Sequence, residues 1–375
     1  MKKALITASV FGFIGSFEKS NIQILLNQGY EIHIATNMSK ELKAFGDTGQ
    51  LDGIDVIKHQ ISYSRSPFSL QTIKSYKAIK RLIKEENFDL IHCHTPVAAM
   101  LTRLATRKAR KNGTKVIYTA HGFHFFKGAP LLNWLVYFPV EYICSFFTDI
   151  LITINQEDYQ LARKVMRAKK IEYISGVGID VEKYQNVQVD KMAKRKELGI
   201  PENTIMLLSV GELNKNKNHE VIIEALNRLN NPNIHYCIAG QGELKDYLQS
   251  KIISLGLENK VHLLGYREDV GELYHTADIF CFPSLREGLG LAAIEAMASG
   301  LPLITSNVHG INDYSKNGLT GYKCDCKSIH DYEKAIRKLM NSSSRIEEIS
   351  EYNKNLAYKF NYISVNKKMI LIYNS

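Results

Sequence analysis

Two carboxylates with seven residues between them, Glu287 and Glu295, stand in the stretch of the chain with the clearest chemical character. Between them, Gly288-Leu289-Gly290-Leu291 predicts a tight loop that opens into a helix over Ala292–Ser299. The start of such a helix presents backbone N–H groups and a positive dipole end, and glycine lets a ligand approach the backbone. The pattern indicates an anion site suited to a diphosphate. The two glutamates can then hold hydroxyls at opposite ends of the ligand, which is the layout of a sugar nucleotide.

The string around these residues, PSLREGLGLAAIEAMASGLPLITS at 283–306, resembles the retaining glycosyltransferases of family 4. The resemblance implies the GT-B fold, an α/β architecture in which two Rossmann-like domains face a central cleft. It also implies that Glu287 contacts the donor sugar in catalysis and that Glu295 binds the ribose diol. The diphosphate would then be held by the backbone amides of Gly288, Leu289, Gly290 and Leu291. Spacing alone favours an ordinary amphipathic helix with exposed glutamates, whereas the whole flanking string favours the family.

Length and composition indicate a two-domain globular protein. The chain has 375 residues, of which 45% are hydrophobic and 23% are charged. Its N-terminal apolar run is short and lacks a cleavage site, so we predict a buried strand and no signal peptide. No apolar stretch reaches 18 residues, which argues against a transmembrane helix. The six cysteines show no C-x-x-C pair, which favours reduced thiols and a cytoplasmic protein.

The positive charge of the chain is concentrated in its first half. Residues 1–180 hold 24 Lys and Arg against 15 Asp and Glu, whereas residues 181–375 hold 24 against 23. Such asymmetry suggests a partner that carries phosphate: nucleic acid, an anionic lipid headgroup or a lipid-linked diphosphate. A basic surface with no partner is the alternative. Aromatic residues do not interleave with the basic run at 103–111, so we predict no nucleic-acid partner.

Strands and helices alternate along both halves, which predicts parallel sheets. We expect an acceptor-binding domain at 1–180, a nucleotide-sugar-binding domain at 181–359, and a return of 360–375 onto the first domain. A glycine turn is predicted between the first strand and a helix over Glu18–Asn27. By resemblance, Gly12 and Gly15 in that turn match loosely the family's glycine-rich loop on the acceptor side. A plain turn is the equal alternative.

The predicted strand Lys115–Ala120 ends in AHGFHFF, which resembles the histidine turn of family 4 and most closely that of capsular and exopolysaccharide enzymes. The resemblance places His121 beside the donor sugar as a catalytic residue, with His124 as a weaker candidate on the acceptor side. A histidine titrates near neutral pH and can donate a hydrogen bond to a hydroxyl or an oxyanion. For a single histidine, a satisfied core residue is the alternative.

The cluster His92-Cys93-His94 also invites a metal interpretation. Neighbouring residues of a strand face opposite sides, and no third ligand type stands at a suitable spacing, so we predict no bound metal. His94 can still line a ligand site, because ligands of open α/β sheets collect at the carboxyl ends of strands.

The segment Phe123–Phe147 is unusually rich in aromatic residues. It predicts a core helix, an apolar surface patch or a segment that lies on a bilayer. Basic residues precede it and would suit an anionic membrane surface: Arg103, Arg107, Lys108, Arg110 and Lys111. We favour peripheral membrane contact on the inner face of the cell membrane over a plain core with solvated charges.

The second half begins with a loop that departs from the family pattern. The family has arginine, lysine and glycine there; Lys217 matches the lysine, whereas Glu212 and Asn218 replace the other two. With no D-x-D pair present, Lys217 and Lys215 are the residues expected to neutralise the donor diphosphate, and we predict no cofactor. Further along, Tyr266 and Arg267 are candidates for the nucleotide-base pocket.

We therefore predict a retaining, metal-independent glycosyltransferase that moves a hexose or N-acetylhexosamine from a nucleotide-diphosphate sugar, expected to be UDP-linked, to a glycan acceptor. The family resemblance and the basic first half suggest an undecaprenyl-diphosphate-linked acceptor in bacterial surface polysaccharide synthesis. Two alternatives stay open: a UDP-sugar epimerase of GT-B fold, and a non-catalytic protein that binds sugar nucleotides or nucleic acid.

Overall fold

A computed structural model describes residues 1–38, 51–64, 69–341 and 343–375. The chain divides into two compact units. The first comprises Met1–Val177 together with Ile363–Ser375, and the second comprises Gly178–Tyr362.

The first unit is built on a parallel sheet whose described strands run in the order β3-β2-β1-β4-β5-β6-β7. The strands are β1 Lys2–Thr7, β2 Tyr30–Thr36, β3 Ile57–Gln60, β4 Leu90–Cys93, β5 Lys115–Ala120, β6 Ile150–Thr153 and β7 Lys170–Tyr173. The helices are α1 Phe11–Phe17, α2 Lys19–Asn27, α3 Leu70–Glu86, α4 Pro96–Ala105, α5 Arg107–Lys111, α6 Leu131–Ser145 and α7 Gln156–Val165. Central strands such as β4 are buried at every position, as expected for a parallel sheet covered on both faces.

The second unit repeats the pattern with the strand order β10-β9-β8-β11-β12-β13, again parallel. Its strands are β8 Ile205–Val210, β9 Ile234–Ala239, β10 Val261–Gly265, β11 Ile279–Phe282, β12 Leu303–Ser306 and β13 Gly321–Cys324. Its helices are α8 Val181–Gln185, α9 Lys191–Glu197, α10 His219–Leu229, α11 Lys245–Ser254, α12 Val270–Thr276, α13 Leu291–Ala298, α14 Ile329–Met340 and α15 Ser343–Ala357. Short 3₁₀ turns occupy His309–Asp313 and Tyr358–Phe360.

Both sheets have one place where the strand order reverses direction. In the first unit it lies between β1 and β4, and in the second between β8 and β11. The loops that leave two such strands at their carboxyl ends diverge and open a crevice, where ligands of doubly wound sheets bind. The predicted α/β fold class with two Rossmann-like units is confirmed.

The last helix, α16 Tyr362–Asn374, begins at the boundary of the two units and packs within the first one. The Nζ of Lys115 donates to the carbonyl of Tyr373 at 2.9 Å, and Lys368 lies 3.4 Å from Glu172. At its start, a Cβ on Gly178 would lie 2.5 Å from the Cα of Tyr362, so the chain can pass there only as glycine.

The glycine turn predicted after β1 is wrong, because residues 11–17 form helix α1. Phe11, Phe13 and Ile14 are buried there, and this burial outweighs the low helix propensity of Gly12 and Gly15, which are buried within the same helix. The chain offers no glycine-rich loop at this position.

Candidate functional site

The loops after β8 and β11 bring Lys217 and Glu287 together at the switch point of the second sheet. The Nζ of Lys217 lies 2.6 Å from the Oε1 of Glu287. The same ammonium stands 4.8 Å from the centre of the Phe282 ring, which adds a cation–π contact. Only 21% of the lysine and 14% of the glutamate side-chain surface is exposed. A charge-assisted pair this well shielded from water is stronger than a surface ion pair.

Backbone and amide hydrogen bonds join the two loops. The N–H of Leu285 donates to the carbonyl of Asn216 at 2.7 Å, and the Nδ2 of Asn216 donates to the carbonyl of Arg286 at 2.9 Å. The N–H of Lys217 donates to Oδ1 of Asn214 at 3.0 Å. These bonds fix the backbone on both sides of the Lys217–Glu287 pair, so its geometry is set before any ligand binds.

The replacement of the family glycine by Asn218 has a conformational explanation. Asn218 has φ 53°, in the left-handed region that glycine adopts freely and asparagine tolerates best among other residues. Its Nδ2 donates to the carbonyls of Pro283 and Cys326, at 3.2 and 2.9 Å. Asparagine thus keeps the left-handed backbone conformation and adds two hydrogen bonds between loops.

The other two charged residues of the loop lie away from this pair. Glu212 is exposed, and its Oε2 accepts from Nδ2 of Asn214 at 2.8 Å. Lys215 is exposed as well and lines a separate pocket with Tyr247 and Leu248. Of the two lysines that the sequence singled out, Lys217 alone forms an ion pair with Glu287.

The turn before α13 has a backbone geometry that requires glycine, in agreement with the tight glycine loop that the sequence predicts. Gly290 has φ +92°, and a Cβ there would lie 2.5 Å from the Phe282 ring. Helix α13 begins at Leu291, one residue before the predicted start, and no side chain in the described part of the chain caps it. A Cβ on Gly310 would meet the carbonyl of Gly288, so a second backbone segment packs against the turn, beside the buried Leu289. The amino end of α13 therefore offers backbone donors and its dipole to an anion.

Glu295 lies one turn into α13 and faces tyrosines. The hydroxyl of Tyr274 donates to its Oε2 at 3.0 Å, and Tyr184 interacts with the same carboxylate. Burial raises the pKa of Glu295, and the two tyrosines oppose that shift. The side chain is therefore held in one orientation, unlike the exposed glutamate of an ordinary amphipathic helix.

The two base-pocket candidates differ in their surroundings. Tyr266 is exposed, whereas the guanidinium of Arg267 is paired with Asp269 and Glu197, each at 2.7 Å. These hydrogen bonds raise the pKa of Arg267 further above its usual range. The Arg267 guanidinium is thus already paired with carboxylates of the protein itself.

In the first unit, His121 follows β5 and stands at the edge of a buried histidine cluster. Its Nε2 lies 3.1 Å from the Nδ1 of His94, and the Phe13 ring packs edge-on against it at 4.9 Å. The side chain is 20% exposed. Burial lowers the pKa of His121 to about 4, so the ring is neutral at pH 7.

Behind His121 lie two residues that are buried completely. His94 has its Nδ1 3.2 Å from the Oε1 of Glu18, and the Nδ2 of Asn21 donates to the other carboxyl oxygen at 2.7 Å. Burial raises the pKa of Glu18 to about 8. The expectation that His94 lines a ligand site is wrong, since its ring is covered by its neighbours. Sequence reasoning did not single out Glu18; the available signal was one acid directly after the apolar run of residues 11–17.

The spacing argument against a metal fails in one respect. His92 lies in β4 and His94 directly follows it, and the ligand atoms of Glu18, His92 and His94 all lie within 4.8 Å of one another. A third ligand type is thus present, supplied by a segment that is distant in sequence. However, the Nε2 of His92 lies 2.8 Å from the Thr119 hydroxyl and its Nδ1 lies 2.9 Å from that of Tyr373. With both ring nitrogens in hydrogen bonds, this donor set fits a polar network better than a metal ion.

His124 lies apart from the histidine cluster. Its ring stacks on that of Tyr137 in α6, with centroids 4.5 Å apart. Gly12 and Gly15 lie in helix α1, and the Phe13 ring of the same helix contacts His121.

Helix α6 exposes an apolar stripe. Leu131, Leu135, Pro139 and Ile143 recur at four-residue intervals and are all exposed, the first two at 73% and 66%. The one charged residue of the helix, Glu141, is buried against Arg103 at 2.8 Å. Among the described helices, none is both long and apolar enough to cross a membrane.

The basic residues near α6 divide into two groups. Arg103 is buried by its pair with Glu141, so its predicted place on a basic surface is wrong. Arg110 pairs with Asp149 at 3.0 Å and is mostly covered. The remaining cations are exposed: Arg107, which stacks on Phe147, and Lys108, Lys111 and Lys127.

Comparison with known proteins identifies the family. The family described as "Glycosyl transferases group 1" matches residues 190–356, and the one described as "Glycosyl transferase 4-like" matches residues 15–155. EpsD of Bacillus subtilis, which bears the name of a glycosyltransferase, is 33% identical over all of this chain and 97% of its own length. The chain belongs to the group 1 glycosyltransferases. The predicted family resemblance is confirmed.

Other relatives agree with this assignment. The capsular polysaccharide biosynthesis glycosyltransferase CapM of Staphylococcus aureus is 25% identical over 95% of this chain and 93% of its own. The UDP-Gal:alpha-D-GlcNAc-diphosphoundecaprenol alpha-1,3-galactosyltransferase of Escherichia coli is 32% identical over 71% of this chain and 70% of its own. Among solved structures, Anabaena HepE in complex with UDP and glucose superposes over the full length of both chains, with a TM-score of 0.81 at 20% identity. This likeness confirms the fold of the group 1 glycosyltransferase.

Proposed function

We propose that this glycosyltransferase moves a hexose or N-acetylhexosamine from a UDP-sugar to a lipid-linked glycan, with retention of the anomeric configuration and without a metal. The observation that carries the proposal is the Lys217–Glu287 pair at the switch point of the second sheet, in which Lys217 lies on the loop after β8 and Glu287 on the loop that leads into α13. An ammonium and a helix start together neutralise a diphosphate, and a carboxylate beside them accepts hydrogen bonds from a sugar.

The second unit binds the nucleotide sugar in this proposal. Lys217 and the amides of 288–291 hold the diphosphate, Glu287 accepts from hydroxyls of the donor sugar, and Glu295 accepts from the ribose diol. The exposed ring of Tyr266 supplies a surface for the base. Arg267 acts there through its backbone, because its guanidinium is paired with two carboxylates.

The chemistry proposed is a front-side transfer. The departing diphosphate takes the proton of the acceptor hydroxyl, so no separate base is needed on the opposite face of the sugar. Lys217 and the start of α13 stabilise the negative charge that develops on the leaving group. His121 in the first unit donates a hydrogen bond to the transferred sugar or to the acceptor.

A lipid-linked acceptor is supported by two observations. The galactosyltransferase relative carries in its name an acceptor linked to diphosphoundecaprenol. The first half of this chain has a net charge of +9, which suits a partner rich in phosphate. We therefore place this enzyme in the assembly of a surface polysaccharide, with the acceptor bound by the first unit.

The same acceptor requires access to a bilayer surface, and helix α6 offers a docking face. Its exposed stripe of Leu131, Leu135, Pro139 and Ile143 carries no charge, and exposed cations lie nearby in sequence and in α5. An apolar face can insert among lipid headgroups while each cation near an anionic leaflet adds about 1 kcal/mol. We propose the anionic inner leaflet of the cell membrane as the occupant of this face.

The function is tested by incubating the purified protein with a panel of sugar nucleotides, with and without membrane lipid extract, and measuring released nucleotide diphosphate and labelled lipid. We expect release of UDP that depends on the extract, together with transfer of label to lipid. Interconversion of UDP-sugars without any acceptor would identify an epimerase. Binding without turnover of any donor would identify a non-catalytic protein.

Membrane docking is tested by sedimentation with vesicles of phosphatidylglycerol and of phosphatidylcholine. We expect binding to the anionic vesicles and its loss in a Leu131→Asp, Leu135→Asp variant. Leu70→Asp is the control, since Leu70 lies on α3 and is at least as exposed as Leu131 and Leu135. Equal binding by the α6 variant and the control would contradict a role for this face.

A further inference from the structure

Three side chains form a chain from the core of the first unit toward its surface: Glu18, His94 and His121. The first two are buried, and His121 is the member with exposed surface. The Nδ1 of His94 is shared, with the Oε1 of Glu18 at 3.2 Å and the Nε2 of His121 at 3.1 Å. The other ring nitrogen of His94, Nε2, determines which ring nitrogens of the two histidines carry a hydrogen.

The Nε2 of His94 is buried and has no hydrogen-bond partner among the described residues. A buried N–H without an acceptor is costlier than a bare nitrogen lone pair, because the N–H loses a strong bond to water. Burial also lowers the pKa of His94 well below its usual value, so the ring is neutral and carries a single hydrogen. That hydrogen therefore sits on Nδ1, where the Nε2 of His121 accepts it at 3.1 Å and the neutral Glu18 carboxyl is the weaker acceptor.

The position of this hydrogen determines the state of His121. If Nδ1–H of His94 donates, the Nε2 of His121 must accept and carries no hydrogen. The neutral His121 ring then has its hydrogen on Nδ1, which is the minor tautomer of free histidine. This nitrogen makes no hydrogen bond with any described residue and is left to meet a ligand.

We propose that Glu18 and His94 are positioning residues, which hold His121 in the Nδ1–H tautomer and aim that N–H at a substrate oxygen. The identity of that oxygen, on the transferred sugar or the acceptor, rests on the proposed function. The tautomer and its cause rest on the first unit alone.

The backbone that follows His94 is strained at Thr95. Thr95 has φ 59°, a region that a β-branched residue rarely enters. Its hydroxyl accepts from the N–H of Ser9 at 2.9 Å and lies 2.8 Å from the Ser9 hydroxyl, across the β1–β4 switch point. Strain of this kind persists where surrounding contacts impose it, and it collects at functional sites.

Glu18 makes the arrangement sensitive to pH. Among the residues that the structure describes, the titratable groups that face Glu18 are His94, His121 and Tyr373. The His92 ring lies behind His94, with the two ring centroids 4.1 Å apart, and the amide of Asn21 donates to the second carboxyl oxygen of Glu18. At pH 7 Glu18 is neutral and competes weakly for the hydrogen of His94. As the pH rises through about 8, its carboxylate attracts that hydrogen and releases the Nε2 of His121.

The tautomer is measured directly by ¹⁵N magic-angle-spinning NMR of protein labelled with [¹⁵N]histidine, with His121→Ala used to assign the signal. We expect the Nδ1 of His121 to be protonated and its Nε2 unprotonated at pH 7. Protonation on Nε2 would overturn the proposal. Because this readout needs no turnover, it stands even if the proposed transferase activity is not found.

Kinetics provide the second test. His94→Leu should lower kcat by about 10- to 100-fold, the size of effect known for groups that orient a metal-binding histidine, with little change in donor KM. His94→Asn should recover much of this loss, since its amide N–H occupies the place of Nδ1–H. Glu18→Gln should keep activity near pH 7 and remove the fall in kcat/KM near pH 8. An unchanged kcat in His94→Leu, or an unchanged alkaline limb in Glu18→Gln, would refute the positioning role.

Discussion

Lys217 and Glu287, 70 residues apart in the chain, meet at 2.6 Å where the second sheet reverses its strand order. The two charges neutralise each other beside the Phe282 ring, where both side chains are largely shielded from water. In the function that we propose, a donor diphosphate that binds here gains Lys217 as a counter-ion and meets Glu287 as a like charge. The pair therefore couples binding of the nucleotide to the freedom of the carboxylate that we assign to the sugar.

Replacing Glu287 separates these two effects. Glu287→Gln removes a negative charge beside the diphosphate and frees Lys217, so UDP affinity should hold or increase. Turnover should fall by about 100-fold or more, because the carboxylate acts on the sugar in the transition state. Calorimetry with UDP and steady-state kinetics measure the two quantities. Glu212→Gln is the control, since Glu212 is exposed and paired within its own loop; a parallel loss of affinity and turnover would contradict the assignment.

Glu295 should contribute to nucleotide affinity. Its carboxylate, oriented by Tyr274, can accept two hydrogen bonds from a ribose diol. Glu295→Ala should weaken UDP binding by about 1.5–3 kcal/mol, the value of hydrogen bonds to a charged group. Tyr274→Phe should weaken it by less, since the carboxylate remains in place. Equal UDP affinity of wild type and Glu295→Ala in calorimetry would remove the ribose role.

The sequence predicts the regular elements of this fold well. Strand β5 has the predicted bounds Lys115–Ala120, helix α2 begins one residue after the predicted Glu18 and helix α13 begins one residue before the predicted Ala292, because each is an apolar or amphipathic run between polar or glycine-containing segments. The prediction fails at α1, because its glycines suggest a turn and only the tertiary burial of Phe11 and Phe13 makes it a helix.

The candidate site was predictable only in part. Local sequence identifies the glycine turn before α13, and the family resemblance identifies Glu287, Glu295 and His121. The contact of Glu18 with His94 joins residues 76 positions apart in sequence, and no local pattern encodes such a pairing. Arg103 shows the same limit, since its partner Glu141 lies on another helix and turns a surface cation into a buried one.

Activity should survive removal of divalent metal. In our proposal Lys217 and the start of α13 neutralise the diphosphate in place of an ion, so EDTA should leave kcat within about twofold of its value in buffer with added Mg²⁺. Lys217→Ala should raise the donor KM, whereas Lys215→Ala should not, because Lys215 faces a separate pocket. A strict requirement for added Mg²⁺ or Mn²⁺ would refute the lysine clamp.

Glu18 should make stability depend on pH in a direction opposite to that of most carboxylates. Its pKa is about 8 when folded and near 4.5 when unfolded, so between these values the unfolded chain binds fewer protons. Stability from this group therefore falls as the pH rises, and does so until about pH 8. The stability of Glu18→Gln relative to wild type should increase by about 1.4 kcal/mol per pH unit over this range. Urea unfolding at pH 5, 6.5 and 8 measures it, and a constant difference would show that Glu18 is ionised in the folded state.

The stereochemistry of transfer tests the mechanism as a whole. Inversion requires a base on the face of the sugar opposite the leaving group, whereas the front-side reaction lets the departing diphosphate take the acceptor proton. In our proposal Glu287 orients the donor sugar, His121 donates a hydrogen bond from Nδ1, and Lys217 with the start of α13 holds the leaving group. An α-linked UDP-sugar should therefore give an α-linked product.

The anomeric coupling constant in the proton NMR spectrum of the isolated product decides between the two outcomes. Digestion of the product by an α-specific but not a β-specific glycosidase provides an independent control. A β-linkage formed from an α-linked donor would require a base that none of these residues supplies. It would overturn the front-side mechanism and the roles that we propose for Glu287 and His121.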